Sequence, residues 1–151
     1  DIVLIDLFPQ LGSYSADYAR NFVAGPPTDG QQAQHVALEK TLAAAETALR
    51  PGVLASEIDR ICRATIESQG FGPYVYQHHS GHGLGLLPNE PPWIVPENDT
   101  PLQAGMVVAI EPGIYHPING GMRLEDNYLV TEEGCEALVS YSAKLVSCDG
   151  W

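Results

Sequence analysis

Basic residues are scarce in this chain: 7 Lys and Arg stand against 19 Asp and Glu in 151 residues, for a formal net charge of −12. That balance argues against a nucleic-acid partner or an anionic membrane surface. No apolar run approaches the ~20 residues that a membrane span needs, and no signal peptide is visible. Cysteine is sparse too. Cys62, Cys135 and Cys148 are odd in number, widely spaced and without a CxxC pair, which excludes a disulfide framework or zinc knuckle and fits reduced thiols in a cytoplasmic protein. Low-complexity segments and a second domain are also missing. The length suits one domain with enough apolar content for a core. The chain starts at Asp1, already within a strand pattern. Residues 1–151 are therefore expected to form a partial domain, incomplete at the N-terminus, with targeting signals and further site residues in the missing part.

What is present centres on Ser80-Gly81-His82-Gly83-Leu84-Gly85-Leu86-Leu87-Pro88-Asn89-Glu90-Pro91-Pro92. His82 lies between glycines, where the backbone can approach another group closely. Asp6 interrupts the apolar run 2–8, and Glu111 interrupts the run that begins at Met106. Asp17 and Glu125 follow them across what read as hairpins. A bare carboxylate in an apolar strand is costly to bury, so it needs a cation or a hydrogen-bonded partner. One imidazole and four carboxylates suit one or two divalent cations. Oxygen and imidazole donors without a thiolate favour manganese, cobalt, iron(II) or zinc in an open site over a structural zinc site.

In chain order, residues 2–8 read as a strand buried on both faces, 10–13 as a turn, and 14–23 as a returning strand. Thr28 or Asp29 caps a helix that runs to Leu49, with Val36, Leu38, Leu42, Ala45 and Leu49 on its core face. Ser56 with Asp59 resembles a capping box for a second helix carrying Ile58, Ile61, Cys62 and Ile66, closed by Gly70. Both helices read as packing elements. Residues 74–76 begin a strand that leads to His78, His79 and His82. A proline-rich loop spans 88–101, and 105–115 is one strongly apolar strand. A turn at 117–121 returns the chain into a strand over 122–131, which places Arg123 and Glu125 two apart on one face. A short last strand covers 137–141.

Each candidate has a simpler reading. Asp6 alone suits a strand end or turn cap, Asp17 can pair with Arg20, and Glu125 beside Asp126 can be an exposed pair. Five candidates in this order favour the joint site. Two cations roughly 3.5–4 Å apart would lower the pKa of a shared water toward neutrality, which is the chemistry of metal-assisted hydrolysis.

The segments Asp6…Asp17-x-x-Arg20, Ser80 to Leu86, Ile110-Glu111-Pro112-Gly113-Ile114-Tyr115 and Gly121-Met122-Arg123-Leu124-Glu125-Asp126 resemble the pita-bread metallopeptidases over nearly the whole chain. That family includes methionine aminopeptidase, aminopeptidase P, prolidase and creatinase. Glu90-Pro91-Pro92 and the Arg123/Glu125 spacing are most similar to the aminopeptidase P and prolidase branch. The resemblance implies an α+β pita-bread fold, with a mostly antiparallel curved sheet and flanking helices. It implies two divalent metal ions, manganese first. Asp6 would chelate one metal, His82 and Glu111 the other, with Asp17 and Glu125 bridging. Glu111 would also act as the base, His78 would face the substrate, and Arg123 would orient carboxylates or relay protons. His79, His35 and His116 match no family role and read as surface or packing residues.

Three departures stand out. Asn89 occupies a position where the family usually has a substrate-contacting histidine, Ala19 replaces a common hydroxyl residue, and the usual N-terminal part of the domain is absent. Asn89 can donate a hydrogen bond but cannot carry charge. The expected activity is hydrolysis of Xaa-Pro peptides or dipeptides, on a peptide or small amide substrate, with a homodimer as the candidate assembly. The alternatives are a small-molecule hydrolase or lyase of the same family and a pseudo-peptidase binding module.

Overall fold

Thr28 starts the longest element. Its hydroxyl accepts from the Gln31 backbone N–H while the Gln31 side chain accepts from the Thr28 N–H, a reciprocal cap that opens helix α1 (Asp29–Ala48). Ala37, Leu38, Leu42, Ala45 and Leu49 are buried, whereas Val36 is half-buried. The structure is a computed structural model and describes residues 1–148. Buried Gln34 and His35 on α1 are tied down by carbonyls: Gln34 Nε2 donates to Ile114 O and Gly120 O, and His35 Nε2 donates to Ala143 O.

Helix α2 (Ala55–Ile66) starts without a side-chain cap, contrary to the Ser56/Asp59 expectation. The Ala55 and Ser56 backbone N–H groups already donate to Thr100 O and Asn98 O, so no orphan donor is left for a capping box. Ser56 Oγ binds Asp99 instead. Asp59 turns inward, accepting from Ser80 Oγ at 2.6 Å and from Arg63 Nε at 2.8 Å. The helix is therefore more than packing. An irregular turn over Glu67–Phe71 follows, ended by Gly70 at φ +87°.

Three strands form one sheet, in the order β1 (Ile2–Leu7), β4 (Tyr18–Ala24) and β12 (Val146–Cys148), with β12 parallel to β4. The returning strand expected over 14–23 is split. A small hairpin, β2 (Gln10–Leu11) with β3 (Tyr14–Ser15), precedes β4, and Ala16-Asp17 lie between them. β1 is covered on one face only, since Val3, Ile5 and Leu7 are 41–48% exposed.

The second sheet has five antiparallel strands, ordered β11 (Cys135–Ala137), β10 (Asp126–Val130), β7 (Val107–Ile110), β5 (Gly81–Gly83) and β6 (Glu90–Ile94). β6 falls within the segment expected as a loop. The apolar strand expected over 105–115 breaks at Glu111-Pro112, and the one over 122–131 breaks at Leu124-Glu125. The pieces between, β8 (Gly113–His116) and β9 (Gly120–Arg123), make a separate hairpin. Pro112 has no N–H to continue a ladder. Residues 74–76 form no strand, only a bridge from Val75 to Ile114, and the last expected strand is β11, ending at Ala137.

The core lies between the helices and one face of the five-stranded sheet, where Leu38, Leu42, Ile58 and Ile66 meet Val108, Ile110, Tyr128 and Val130. Alternation along β7 sends Ala109 and Glu111 to the other face. His82 is directly opposite Ala109, and Ala109 opposite Asn127, so they share that face. The glycines beside His82 let three strands close on it. A Cβ on Gly81 would lie 2.0 Å from Ala109 O, and one on Gly83 would lie 2.4 Å from Pro91 O.

Gly83→Ala is expected to destabilise the fold by about 1–3 kcal/mol, because rigid backbone must move to admit the methyl group. Gly72→Ala, whose Cβ would come no nearer than 3.4 Å to another atom, the flexible Glu67 Cγ, should stay within about 0.5 kcal/mol. Urea unfolding of the two variants measures the contrast.

Candidate metal centre

The two sheets meet along a seam of polar contacts, and the expected site residues sit on it. Asp17 N–H donates to Asn127 Oδ1, and Asn127 Nδ2 donates back to Asp17 O. Glu125 N–H donates to Ala19 O. Asn21 grips the Arg123 backbone from both sides, at 3.0 and 3.2 Å. Arg20 donates to Ala19 O and Glu125 O and pairs with Asp126, so it does not pair with Asp17. Asp6 is opposite the fully buried Ala19 in the β1–β4 register, one residue pair away from the start of β4, and is itself half-buried.

Asp17, His82 and Glu125 are buried and bring one donor atom each within 4.8 Å of one another. His82 Nε2 is 3.6 Å from Asp17 Oδ2 and 3.6 Å from Glu111 Oε1. Asp6 reaches the same cluster through its contact with Arg123, and Arg123 Nε lies 3.7 Å from Glu111 Oε2. The structure thus brings Asp6, Asp17, His82, Glu111, Glu125 and Arg123 together although Arg123 and Glu125 do not share one strand. Arg123 ends β9 and Glu125 lies in the gap before β10.

His78 borders the cluster, 4.0 Å from Glu111 Oε2. His79, expected to have a surface or packing role, is the residue that sequence reasoning missed. Its Nδ1 is 2.9 Å from Glu111 Oε1, and its position directly after His78 was the available signal. Tyr115, four residues after Glu111, is a second omission, with its hydroxyl 2.8 Å from His78 Nε2. His35 is buried on α1 against Ala143 O, and His116 Nδ1 accepts from the Ile118 and Asn119 N–H groups of its own turn. Asn89 is exposed in the approach to β6 and joins none of the cluster's polar contacts among the described residues.

Protonation follows from this arrangement. His82 Nδ1 and His78 Nδ1 lie 2.9 and 2.7 Å from the Gly83 and His79 carbonyls. A carbonyl only accepts, so both rings carry the proton on Nδ1 and present a bare Nε2 when neutral. Burial holds both imidazoles below their usual pKa. Burial, together with the Glu111, Asp17 and Asp6 charges, pushes Glu125 up to about 10. Burial, Asp6 and Glu111 push Asp17 up to about 7. Burial also works to raise Glu111, but His79, Arg123 and His78 outweigh it and hold the carboxyl below its ordinary value. One guanidinium faces four carboxylates. Asp6 Oδ1, Asp17 Oδ1 and Glu125 Oε1 are buried without a hydrogen-bond donor. Hard oxygens in excess of positive charge, beside a bare imidazole nitrogen, are the donor set of a divalent transition metal, so the residues present fit such ions.

Raised carboxyl pKa values have a definite sign in stability. The folded chain holds protons that the unfolded chain releases above about pH 4. That stabilisation is complete below pH 4, fades through about 7 as Asp17 ionises, and fades further toward about 10 as Glu125 does. Thermal unfolding in chelator is expected to show a Tm that falls from pH 5 to pH 8. Glu125→Gln should raise the pH 8 value by several degrees, the scale of ~1–2 kcal/mol in a chain of this size.

Residues 1–132 match the model of metallopeptidase family M24. The chain is 41% identical over 147 residues to the Xaa-Pro dipeptidase of Pyrococcus furiosus, covering 97% of this chain and 42% of that protein. The X-Pro aminopeptidase of Thermotoga maritima superimposes with a TM-score of 0.93 at 31% identity, over 97% of this chain and 42% of that one. The prolidase of Pyrococcus horikoshii gives 0.91 at 36%, over 96% and 42%. The methionine aminopeptidase of Rickettsia prowazekii, at 22% identity and a TM-score of 0.79, shares the fold. The chain therefore spans about two fifths of the length of the relatives it matches. Its fold is the α+β pita-bread fold, and by the match over 1–132 it belongs to metallopeptidase family M24.

Proposed function

We propose that residues 1–151 are the metal-bearing part of a catalytic domain that hydrolyses Xaa-Pro peptides or dipeptides with two divalent ions. The observation that carries this reading is the convergence of four carboxylates and one bare imidazole nitrogen in one cluster with a single arginine at its side. The names of the relatives supply the substrate class. Asp6 and Asp17 would hold one ion and His82 and Glu111 the other, with Asp17 and Glu125 serving both. Bound there, the ions supply a Lewis-acidic site that lowers the pKa of a water toward neutrality.

The chain's own groups divide the remaining work. Glu111 is ionised and flanked by His79 and Arg123, so its carboxylate can take a proton and return it as a general base and acid. Arg123 orients Asp6 and Glu111 at once. The bare His78 Nε2 accepts the Tyr115 hydroxyl proton and holds that hydroxyl at the edge of the site. Burial of Asp17, His82 and Glu125 keeps bulk water from the donors.

Manganese is the ion we favour, with cobalt, zinc and iron(II) as alternatives, on the hardness of the donor set. Three free cysteines support a reducing compartment such as the cytoplasm. Among the described residues no helix is long and apolar enough to cross a membrane. The exposed row Val3, Ile5 and Leu7 supports burial of that face in the complete protein, and a homodimer is the assembly to test by sedimentation.

In the complete protein, metal loading should raise the Tm in proportion to ln[metal] above its Kd, and the loaded enzyme should cleave Met-Pro. Glu111→Gln should lower kcat by ~10²–10⁴ at matched metal content. Absence of both metal binding and Met-Pro cleavage would overturn the reading. The exposed, uncharged Asn89 favours the second reading, a non-peptide substrate. Asn89→His is expected to raise kcat on Met-Pro, and a fall in peptide hydrolysis would put the small-molecule reading first.

A further inference from the structure

The aromatic lining of the centre is uneven. His79, His82 and Glu111 form one wall, and beyond them stands a large ring that the mechanism above does not use. Trp93 is directly opposite His82 in the β5–β6 pairing, so both side chains leave the sheet on the same face. The indole centroid is 5.4 Å from the His79 ring and 6.1 Å from the His82 ring, at interplanar angles of 53° and 58°. These rings are tilted rather than stacked on the indole, which also lines a groove on the surface. Trp93 is 38% exposed, whereas its neighbours Pro92 and Ile94 are buried against the core. Burial alternates along β6, with Pro91 and Trp93 exposed and Pro92 and Ile94 buried, and the pairing with His82 puts Trp93 on the site face. A groove of mixed lining, about 450 Å³, borders the ring, with Pro91, Val95 and Met106 beside Glu97, Asn98 and Thr100. The backbone beneath is fixed, with Trp93 O accepting from Asn98 Nδ2 at 2.6 Å and Ile94 O from Ser80 N at 2.8 Å.

We propose that Trp93 determines specificity by receiving the pyrrolidine ring of the substrate's proline on its indole face. The assignment rests on the Xaa-Pro reading above and deepens it. Proline rings are rigid and apolar and pack on aromatic faces with little entropy to lose, the physics by which aromatic-lined grooves bind proline-rich segments. A charged or polar side chain in that place would gain nothing from the indole and would lose water to it. Trp93 meets His79 and His82 ring to ring and makes no side-chain hydrogen bond to Glu111 among the described residues, so its contribution belongs to binding.

The test uses the complete protein at matched metal occupancy, with Met-Pro and Met-Ala as substrates and L-proline as a ligand. Trp93→Ala is expected to raise KM for Met-Pro about tenfold, the loss corresponding to one aromatic stacking contact. KM for Met-Ala should change less than about threefold and kcat should hold for both. The Kd of L-proline, read by calorimetry, should weaken about tenfold in parallel. Trp93→Phe should keep most of the preference and Trp93→Leu should lose it, because leucine keeps the apolar volume without the π-face. If Trp93→Ala loses metal or fails to fold, the Phe and Leu variants decide: equal KM ratios in the two overturn the assignment. An unchanged Met-Pro to Met-Ala ratio in a folded, metal-loaded Trp93→Ala also overturns it. Failure of the unsubstituted protein to cleave either peptide would sink the peptidase reading instead, and L-proline binding then tests Trp93 alone, an equal Kd with and without the indole counting against it.

Discussion

Four carboxylates share one buried pocket with a single guanidinium, and that imbalance governs the rest of the structure. In water such a cluster would disperse. Here Asp17 and Glu125 are almost completely buried, and the cost appears as carboxyls driven to about 7 and about 10. A fold keeps such a cost only when other contacts over-determine the positions. The over-determination is visible on both sides of the seam. Asn127 and Asn21 each bind backbone across it in two directions, and Arg20 gathers two more carbonyls. Neutral amides do most of this work, which leaves the charge deficit in the pocket for an added cation to fill.

The strand breaks serve the same end. Continuous strands over 105–115 and 122–131 would have kept each carboxylate in one sheet, facing one layer. Breaking at Glu111-Pro112 and at Leu124-Glu125 instead lets the β8–β9 hairpin turn away. Glu111 and Glu125 are left at the corners, where the two sheets approach. The corner at Glu111 is fixed by its N–H donating to Ser80 O at 2.9 Å, which couples it to the loop carrying His78 and His79.

Much of this was legible in the sequence because it is local chemistry. The capped helix from Thr28, the interruption of apolar strands by Asp6 and Glu111, and the glycines flanking His82 all signal what they do. What could not be read depends on partners far away in the chain. Proline at 112 does not say whether a strand ends or merely bulges. Ser56 and Asp59 have capping-box spacing, but loop carbonyls from 98 and 100 had already taken the helix's first donors. β12 pairs in parallel with β4 across more than a hundred residues, a contact that no local pattern encodes. His79 looked idle because its partner, Glu111, is 32 positions away and meets it only once β5 and β7 are paired.

The same distance argument explains why α2 is not a passive support. Asp59 and Arg63 are one helical turn apart and form an ion pair in which Asp59 is buried and Arg63 half-buried. From there Arg63 donates to Tyr76 O and His78 O, both at 3.0 Å, and its guanidinium caps the Tyr76 ring at 4.5 Å. Tyr76 in turn stacks on His78 at 4.8 Å. An isolated ion pair adds little net stability, but this one holds residues 76–78, which belong to no strand. By fixing the carbonyls of Tyr76 and His78, it restrains the backbone from which His78 Nδ1 reaches His79 O. Reaching His79 O commits that nitrogen as the donor and leaves Nε2 bare. A charged helix face some distance from the carboxylates thereby bears on the tautomer of a histidine at the edge of the site, which is why packing alone is too small a description of that helix.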